Sequence, residues 1–520
     1  MLPALRLLAL CLGLPICHGF PHGIHNSSRP TVALDYGLVV GITNQVPSAP
    51  HLTVNQYLGV PFAKSPPRRF EPSEDTGPWK YPWDASYFRP SCIQYFGNDE
   101  FRRIFNNPPL PESEDCLYLN VFTPPKAPPE GLPVLFWIHG GSFALGSARI
   151  PAYDGSSFAA IHGIVVVTIN YRTNVFGFPG ASAIPLERRN IGLLDQRKAL
   201  LWVNNNIRAF GGDSSRVTIF GESAGGWSVK QLLINPPSPR QFRAAILQSQ
   251  AFGPQTDNEK SWSILVNELG CNNSDLVPSS VDCVAQAPAE MIRDVLEIHK
   301  LGFAPVIDNV TNGPSFQDAM NERQIVEVPI LIGTNAHEGT VLASVMPPAE
   351  MLLDSIFGND TEAKRLARLA YPLNATDADL KSLITTDYTY TCTTSAIANT
   401  AANAGQKVWR YYFNASFPNN QPFPWAGAWH TSEIPIVFGT YRRDHTTIAG
   451  QFLLSRSMQQ AWGNFAKSPE SGPGWAEVGT SKKSLRLFDA NGAVSGQSLN
   501  EKAVDGICKY YDGKLYENGF

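Results

Sequence analysis

The chain has 520 residues, of which 43% are hydrophobic and 17% charged, with 28 Phe, 17 Tyr and 11 Trp; this composition excludes a disordered protein. Its formal net charge is −4, with no Lys/Arg-rich run and no long acidic tail, so nothing points to a nucleic-acid partner. Length alone suggests about two to four domains.

In chain order, residues 1–19 come first. They hold one basic residue, Arg6, then an apolar run over 7–16, then Cys17-His18-Gly19. This pattern predicts a secretory signal peptide, with a secreted, extracellular chain of residues 20–520. The apolar run is too short to span a bilayer, and no later run reaches the roughly 18 residues a span needs, so no membrane anchor is expected. The polar end, residues 514–520, argues against a lipid-anchor tail.

Cys11 and Cys17 leave with the leader. Six cysteines remain, an even number that favours disulfides in an oxidising compartment. Short local loops are the simplest pairing and predict Cys92–Cys116 and Cys271–Cys283. Cys392–Cys508 follows by elimination, two buried free thiols being the alternative. Asn-x-Ser/Thr sequons at Asn26, Asn272, Asn309, Asn359, Asn374 and Asn414 are candidate glycan acceptors on surface loops. No Cys or His cluster has metal-site spacing, so no metal is expected.

Short apolar runs at 134–138, 164–169, 217–220, 244–247 and 328–332, bounded by turn residues, read as strands buried on both faces. Leu194, Leu201, Val203 and Ile207 recur at helical spacing over 195–210, with Asp195 expected to cap that helix. Met458, Ala461, Trp462 and Phe465 form a second helical stripe. Alternating strands and helices predict an α/β fold with a large, mostly parallel sheet. Residues 31–62 are expected to form an antiparallel edge of the same sheet. Segments 251–325 and 345–405 lack clear strands and read as helical insertions around the site.

The sharpest motif is Gly221-Glu222-Ser223-Ala224-Gly225, set between a strand and a helix. G-x-S-x-G in that context is a nucleophile elbow: small flanks let a strained turn push the Ser hydroxyl into the open. His139-Gly140-Gly141-Ser142-Phe143 also follows a strand. There, the N–H groups of Gly140 and Gly141, with that of Ala224, can form an oxyanion hole. A hydroxyl needs a base to become a nucleophile, and the chain order that goes with such an elbow is Ser, acid, His. His430 and His445 lie far enough downstream. His445 sits in a charged run, whereas His430 sits beside Trp429 and an apolar stretch, which favours it as the base. Glu338 follows the strand over 328–332, where catalytic residues of open α/β sheets gather, and is the candidate acid. A surface Glu in a turn is the plain alternative. His337 precedes Glu338 and so breaks the chain order for a base.

Together these residues closely resemble the type-B carboxylesterase/lipase family, the cholinesterase-like α/β-hydrolases, and among them its secreted fungal carboxylesterases and lipases. The likeness runs from Tyr57-Leu58-Gly59-Val60-Pro61-Phe62 to Trp462-Gly463-Asn464-Phe465-Ala466. It includes Glu114-Asp115-Cys116-Leu117-Tyr118-Leu119-Asn120, Asn190-Ile191-Gly192-Leu193-Leu194-Asp195-Gln196, Phe210-Gly211-Gly212-Asp213 and the elbow itself. The resemblance implies one α/β-hydrolase domain over 20–520 in place of several, with helices on both faces of the sheet. It implies Ser223 as acyl-forming nucleophile, Glu338 as acid and His430 as base, and it supports the Cys92–Cys116 and Cys271–Cys283 bridges. Ser249 falls where the family has a Ser beside the triad, although a strand-end Ser is usually just a satisfied hydroxyl. No cofactor is implied.

Departures narrow the substrate. Cholinesterases carry a Trp ten residues before the second cysteine of the first bridge. Here that position is Asn106, and no Trp lies between Cys92 and Cys116, which disfavours quaternary ammonium esters. The 23 residues between these cysteines make a short, mixed flap, unlike the long apolar lid of the fungal lipases. The expected function is a secreted serine hydrolase acting on small-molecule carboxylic esters. The alternative is a lipase or sterol esterase acting on long-chain lipid esters. A non-catalytic adhesion or binding relative is disfavoured because Ser, acid, His and the His-Gly-Gly loop are all kept.

Overall fold

The computed structural model describes residues 29–517 except 107, 252–255, 273–278 and 491–495. The predicted leader over 1–19, its two cysteines and the Asn26 sequon lie outside the described residues.

An eleven-stranded sheet forms the centre. From edge to edge its strands are Gln497–Leu499, Leu485–Asp489, Val408–Asn414, Ile330–Asn335, Ala244–Gln248, Gly212–Glu222, Leu132–Ile138, Val165–Ile169, Tyr118–Thr123, Ala49–Pro61 and Ile42–Val46. All neighbours from Leu485–Asp489 to Val165–Ile169 run parallel; both margins are antiparallel. Each apolar run read from the sequence overlaps one of these parallel strands, those at 164–169 and 328–332 starting one and two residues before the strand.

Those runs are continuous because both faces are covered. In strand Leu132–Ile138, Val134, Phe136 and Ile138 pack into one buried cluster, with Leu200 and Val203 of helix Ile191–Asn206 and Val229 of helix Ala224–Ile234. The alternate residues Leu135 and Trp137 pack into another, with Phe158 of helix Ser156–His162 and Met458, Trp462 and Phe465 of helix Ala449–Lys467. The architecture is that of an α/β-hydrolase.

Two expectations are corrected. Residues 31–62 do not all join the main sheet: Thr31–Leu34 and Gly37–Val40 form a separate three-stranded sheet with Trp83–Asp84. The break falls at Gly41, packed so tightly on strand Ala49–Pro61 that an added Cβ would sit 2.5 Å from the Gln56 carbonyl oxygen. Asp195 is not a cap. Its helix starts earlier, at Ile191, and the fully buried Asp195 carboxylate takes two hydrogen bonds from the Arg172 guanidinium, at 2.7 and 2.8 Å. A buried arginine needs a buried counter-charge, and that demand outweighs the local capping preference.

The insertions are helical. Residues 251–325 contain Asn258–Glu268, Ser280–Gln286, Ala289–His299 and Phe316–Asn321. Residues 345–405 contain Ala349–Phe357, Thr361–Leu369, Asp377–Ile384 and Thr393–Asn403, with an unforeseen π-helical run, Thr385–Cys392, between the last two. Disulfides join Cys92 to Cys116, Cys271 to Cys283 and Cys392 to Cys508. Among the described residues no helix is long and apolar enough to cross a membrane. Asn272, Asn309, Asn359, Asn374 and Asn414 are all exposed.

Candidate active site

Four adjacent parallel strands deliver the candidate residues to one end of the sheet. Register aligns Gly221 with Ile138, Glu222 with Gln248, and Gln248 with Gly333. The residues that follow these positions therefore emerge side by side: the His-Gly-Gly loop, Ser223, Ser249 and the turn to Glu338.

Ser223 has φ 57° and ψ −123°, a backbone state that L-residues with a Cβ avoid. The strain is held by packing. A Cβ on Gly225 would lie 2.0 Å from the Ile138 carbonyl oxygen, and one on Gly221 would lie 2.5 Å from Gly225. The glycines let strand and helix close around the turn, and Ala224 opens the helix after it. The His-Gly-Gly loop turns sharply in the same way, with Gly141 at φ 110°, Ser142 at 53° and Phe143 at 58°. His139 is not presented to the cavity. Its buried ring stacks on Tyr171 at 4.3 Å, and burial lowers its pKa to about 4. Gly140, Gly141 and Ser223 line one cavity of about 150 Å³, together with Glu222, Tyr390 and His430.

Glu338 and His430 meet. Nδ1 of His430 lies 2.6 Å from Glu338 Oε2. The other carboxylate oxygen of Glu338 accepts from the Ser249 hydroxyl at 2.5 Å and from the Asn335 N–H at 2.7 Å. Held by these donors, the Glu338 side chain orients the imidazole with Nδ1 toward it. Nε2 of His430 then faces the cavity and lies 3.2 Å from Glu222 Oε1. Among the described residues no hydrogen bond links Nε2 to Ser223 Oγ in this conformation; the Tyr390 ring stands beside His430, with centroids 4.9 Å apart, on the wall of the same cavity. His337 and His445 are both exposed, and the His337 ring accepts from the Ala428 N–H at 3.1 Å.

Three buried carboxyl groups surround one imidazole. Burial pulls the His430 pKa down, but Glu222, the Glu338 hydrogen bond and charge, and Glu433 outweigh it and raise it to about 9. Glu222 is itself pushed well above the carboxylate range, first by burial, while the His430 charge beside it pulls the other way. Burial, then the Glu338 charge, raises Glu433 to about 7. Glu433 accepts from Asn335 Nδ2 at 2.6 Å and from Gln248 Nε2 at 3.1 Å.

The flap between Cys92 and Cys116 contains a short helix, Asp99–Phe105, capped by Asn98, whose side chain accepts from the Phe101 N–H at 2.8 Å. Phe101 and Phe105 face the cavity with Leu145, Leu342 and Tyr390. Arg102 ties the flap to helix Ala289–His299 through Glu297, at 2.6 Å. Asn106 is buried and accepts from the Leu110 N–H at 3.0 Å. Beyond Phe105 and Ile150, which both cavities share, lies a second cavity of about 480 Å³ with mostly apolar walls that include Phe88, Pro108 and Leu110.

Sequence reasoning missed three residues here. Glu222 stands at the free position of the G-x-S-x-G motif, which assigns it no role. Glu433, three residues after His430, carries no local sign of one. Tyr390 gave no signal at all, because nothing local distinguishes it from other aromatic residues of a helical insertion.

A profile of the Carboxylesterase family matches residues 28–505. The chain is 34% identical over 454 residues to para-nitrobenzyl esterase of Bacillus subtilis, covering 84% of this chain and 89% of that protein. It is 32% identical over 466 residues to acetylcholinesterase of Bungarus fasciatus, covering 80% and 75%. Fumonisin B1 esterase of Sphingopyxis macrogoltabida is 33% identical over 443 residues, covering 79% and 78%.

Proposed function

The chain belongs to the carboxylesterase family and hydrolyses carboxylic esters, and we propose that it does so through Ser223, Glu338 and His430. The observation that carries this reading is the 2.6 Å hydrogen bond between Glu338 and His430, made beside a strained serine elbow. Ser223 rotates toward His430 Nε2 and gives up its proton as Oγ bonds to the ester carbonyl carbon. The N–H groups of Gly140, Gly141 and Ala224 hold the resulting oxyanion. His430 passes the proton to the alcohol oxygen as the C–O bond breaks, leaving an acyl-enzyme. Water repeats the sequence: it gives a proton to His430, bonds to the acyl carbon and releases the acid, and the proton returns to Ser223.

The leader over 1–19, the oxidised cysteines and the five exposed sequons support an exported glycoprotein with one catalytic domain over 20–520. The small cavity at Ser223 and the pinned flap favour soluble esters with short acyl chains. The larger apolar cavity behind Phe105 favours a second reading, a lipase or sterol esterase whose long chain enters it when Phe105 moves. Initial rates on para-nitrophenyl acetate, butyrate, octanoate and palmitate, with Ser223→Ala in parallel, separate these readings. A peak at the short esters supports the first; a peak at octanoate or beyond supports the second. The alanine variant is expected to lose about 10⁵-fold or more in kcat. Full turnover by that variant would reject the triad.

A further inference from the structure

The larger cavity carries charge that the proposed mechanism does not use. It measures about 480 Å³ and shares Phe105 and Ile150 with the cavity at Ser223. Its walls are mostly apolar, yet two arginines, Arg149 and Arg443, also line it. Arg149 directly precedes the shared Ile150.

Neither arginine is neutralised by the chain. Arg149 is half-buried, and among the described residues no carboxylate pairs with it; burial lowers its pKa with no charge opposing the shift. Arg443 donates from Nη2 to the Gly439 carbonyl oxygen at 2.9 Å and lies over the Tyr441 ring, 4.5 Å from its centroid. Its neighbour Asp444 pairs with Arg442 instead, at 2.9 Å. Asp154 is the one acid among the described residues of the cavity wall. Its carboxylate accepts from the Ser156 N–H at 2.8 Å, and burial raises its pKa, which weakens its opposition to a second anion. A guanidinium stays charged at any physiological pH, and holding it against apolar walls without an anion costs free energy.

The backbone under Arg149 is fixed. Ser147 Oγ accepts from the Arg149 N–H at 3.2 Å. The Ala148 carbonyl oxygen accepts from Asn120 Nδ2 at 3.2 Å and from Thr168 Oγ1 at 3.3 Å, which ties the loop to two strands of the main sheet.

We propose that the larger cavity is a subsite for a carboxylate at the far end of the ester. The substrate class is then a monoester of a dicarboxylic acid or an ester of a hydroxy acid. Its scissile bond lies at Ser223, its carbon chain passes Phe105 and Ile150, and its free carboxylate meets Arg149 and Arg443. The planar guanidinium fork matches a carboxylate with two parallel hydrogen bonds, and apolar walls strengthen the attraction. The inference rests on Ser223 being the nucleophile and leaves the steps at the carbonyl as they stand.

The test sets each carboxylate against the neutral primary amide of the same length. One series is the para-nitrophenyl monoesters of adipate, suberate and sebacate. The other is the butyrates of ω-hydroxyhexanoate and ω-hydroxyoctanoate, followed by acid release. At neutral pH and low salt, kcat/KM is expected to favour the carboxylate about tenfold or more in at least one series, through a lower KM. Arg149→Gln should erase most of that preference, and Arg149→Lys should keep only part of it, because an ammonium lacks the fork. Amides turned over as well as the carboxylates in both series overturn the proposal. So does a preference that Arg149→Gln leaves unmoved. Should that variant lose stability, Arg443→Gln at an exposed position is read in its place, with the same two outcomes. Ser223→Ala run alongside separates the two failures. If it retains turnover of the amides, the nucleophile assignment itself falls. If it is inactive while the parental protein shows no preference for the carboxylate, only the subsite falls.

Discussion

The two halves of the site are built by different means. One half, the elbow and the His-Gly-Gly loop, hangs on strand ends whose glycines and apolar runs are local properties of the chain. The other half, the π-helical run with Tyr390 and the flap with Phe101 and Phe105, comes from insertions and is held by distant ties: Cys392 to Cys508 and Arg102 to Glu297. In the proposed mechanism the first half sets up attack on a carbonyl, and the second shapes the space the ester enters. Motifs describe chemistry well and substrate poorly because only the first half is written in short, contiguous stretches.

Glu338→Gln strikes the strand-borne half hardest. The amide keeps the shape but cannot hold His430 in its working tautomer, so kcat is expected to fall about 10⁴-fold with Tm little changed. Steady-state kinetics and thermal melts check this, and a modest loss of tenfold or less would remove Glu338 as the acid.

Breaking the insertion half tests the opposite pattern. Replacing Cys392 and Cys508 together by serine opens a loop of 116 residues, which is worth about 5 kcal/mol of stability in the chain-entropy view. Denaturant unfolding should show that loss, together with a drop in kcat, because the bridge closes the run that carries Tyr390. Unchanged kcat in the fraction that stays folded would show that the run needs no such anchor.

The smallest expected effect lies at the close approach of Glu222 to His430, 3.2 Å between Oε1 and Nε2. A base must be unprotonated to act, so kcat/KM falls as pH drops through the His430 pKa. The surrounding carboxylates raise that pKa to about 9, well above its ordinary value of about 6.5. Glu222→Gln removes one of the charges favouring the imidazolium. His430 then loses its proton at lower pH, and the acid limb of kcat/KM should shift down by about one unit or more. A pH profile with an unmoved limb would mean that Glu222 stays neutral throughout and contributes no charge.

How much could be read beforehand follows the same division. The parallel strands, Ser223, the glycine loop, Glu338 and His430 were named from sequence, since hydrophobic runs and small flanking residues record local backbone requirements. The Cys392–Cys508 pair was reached only by elimination. Asp195 was misread as a cap because its partner, Arg172, lies 23 residues away in sequence, and capping rules see only neighbours. Residues 31–62 were assigned to one sheet because alternation reports strands, not the sheet each one joins.

The sequence by itself determined the α/β architecture, the family and the candidate catalytic residues. These depend on periodicity and on glycines at turns, which any stretch of chain carries within itself. Only the tertiary structure decided that three carboxyl groups crowd one imidazole, that a phenol on a π-helical run packs beside that imidazole, and that Phe105 lines two cavities. Burial, distance and electrostatic coupling belong to pairs of residues far apart in the chain, and they exist only once the sheet and its insertions have packed.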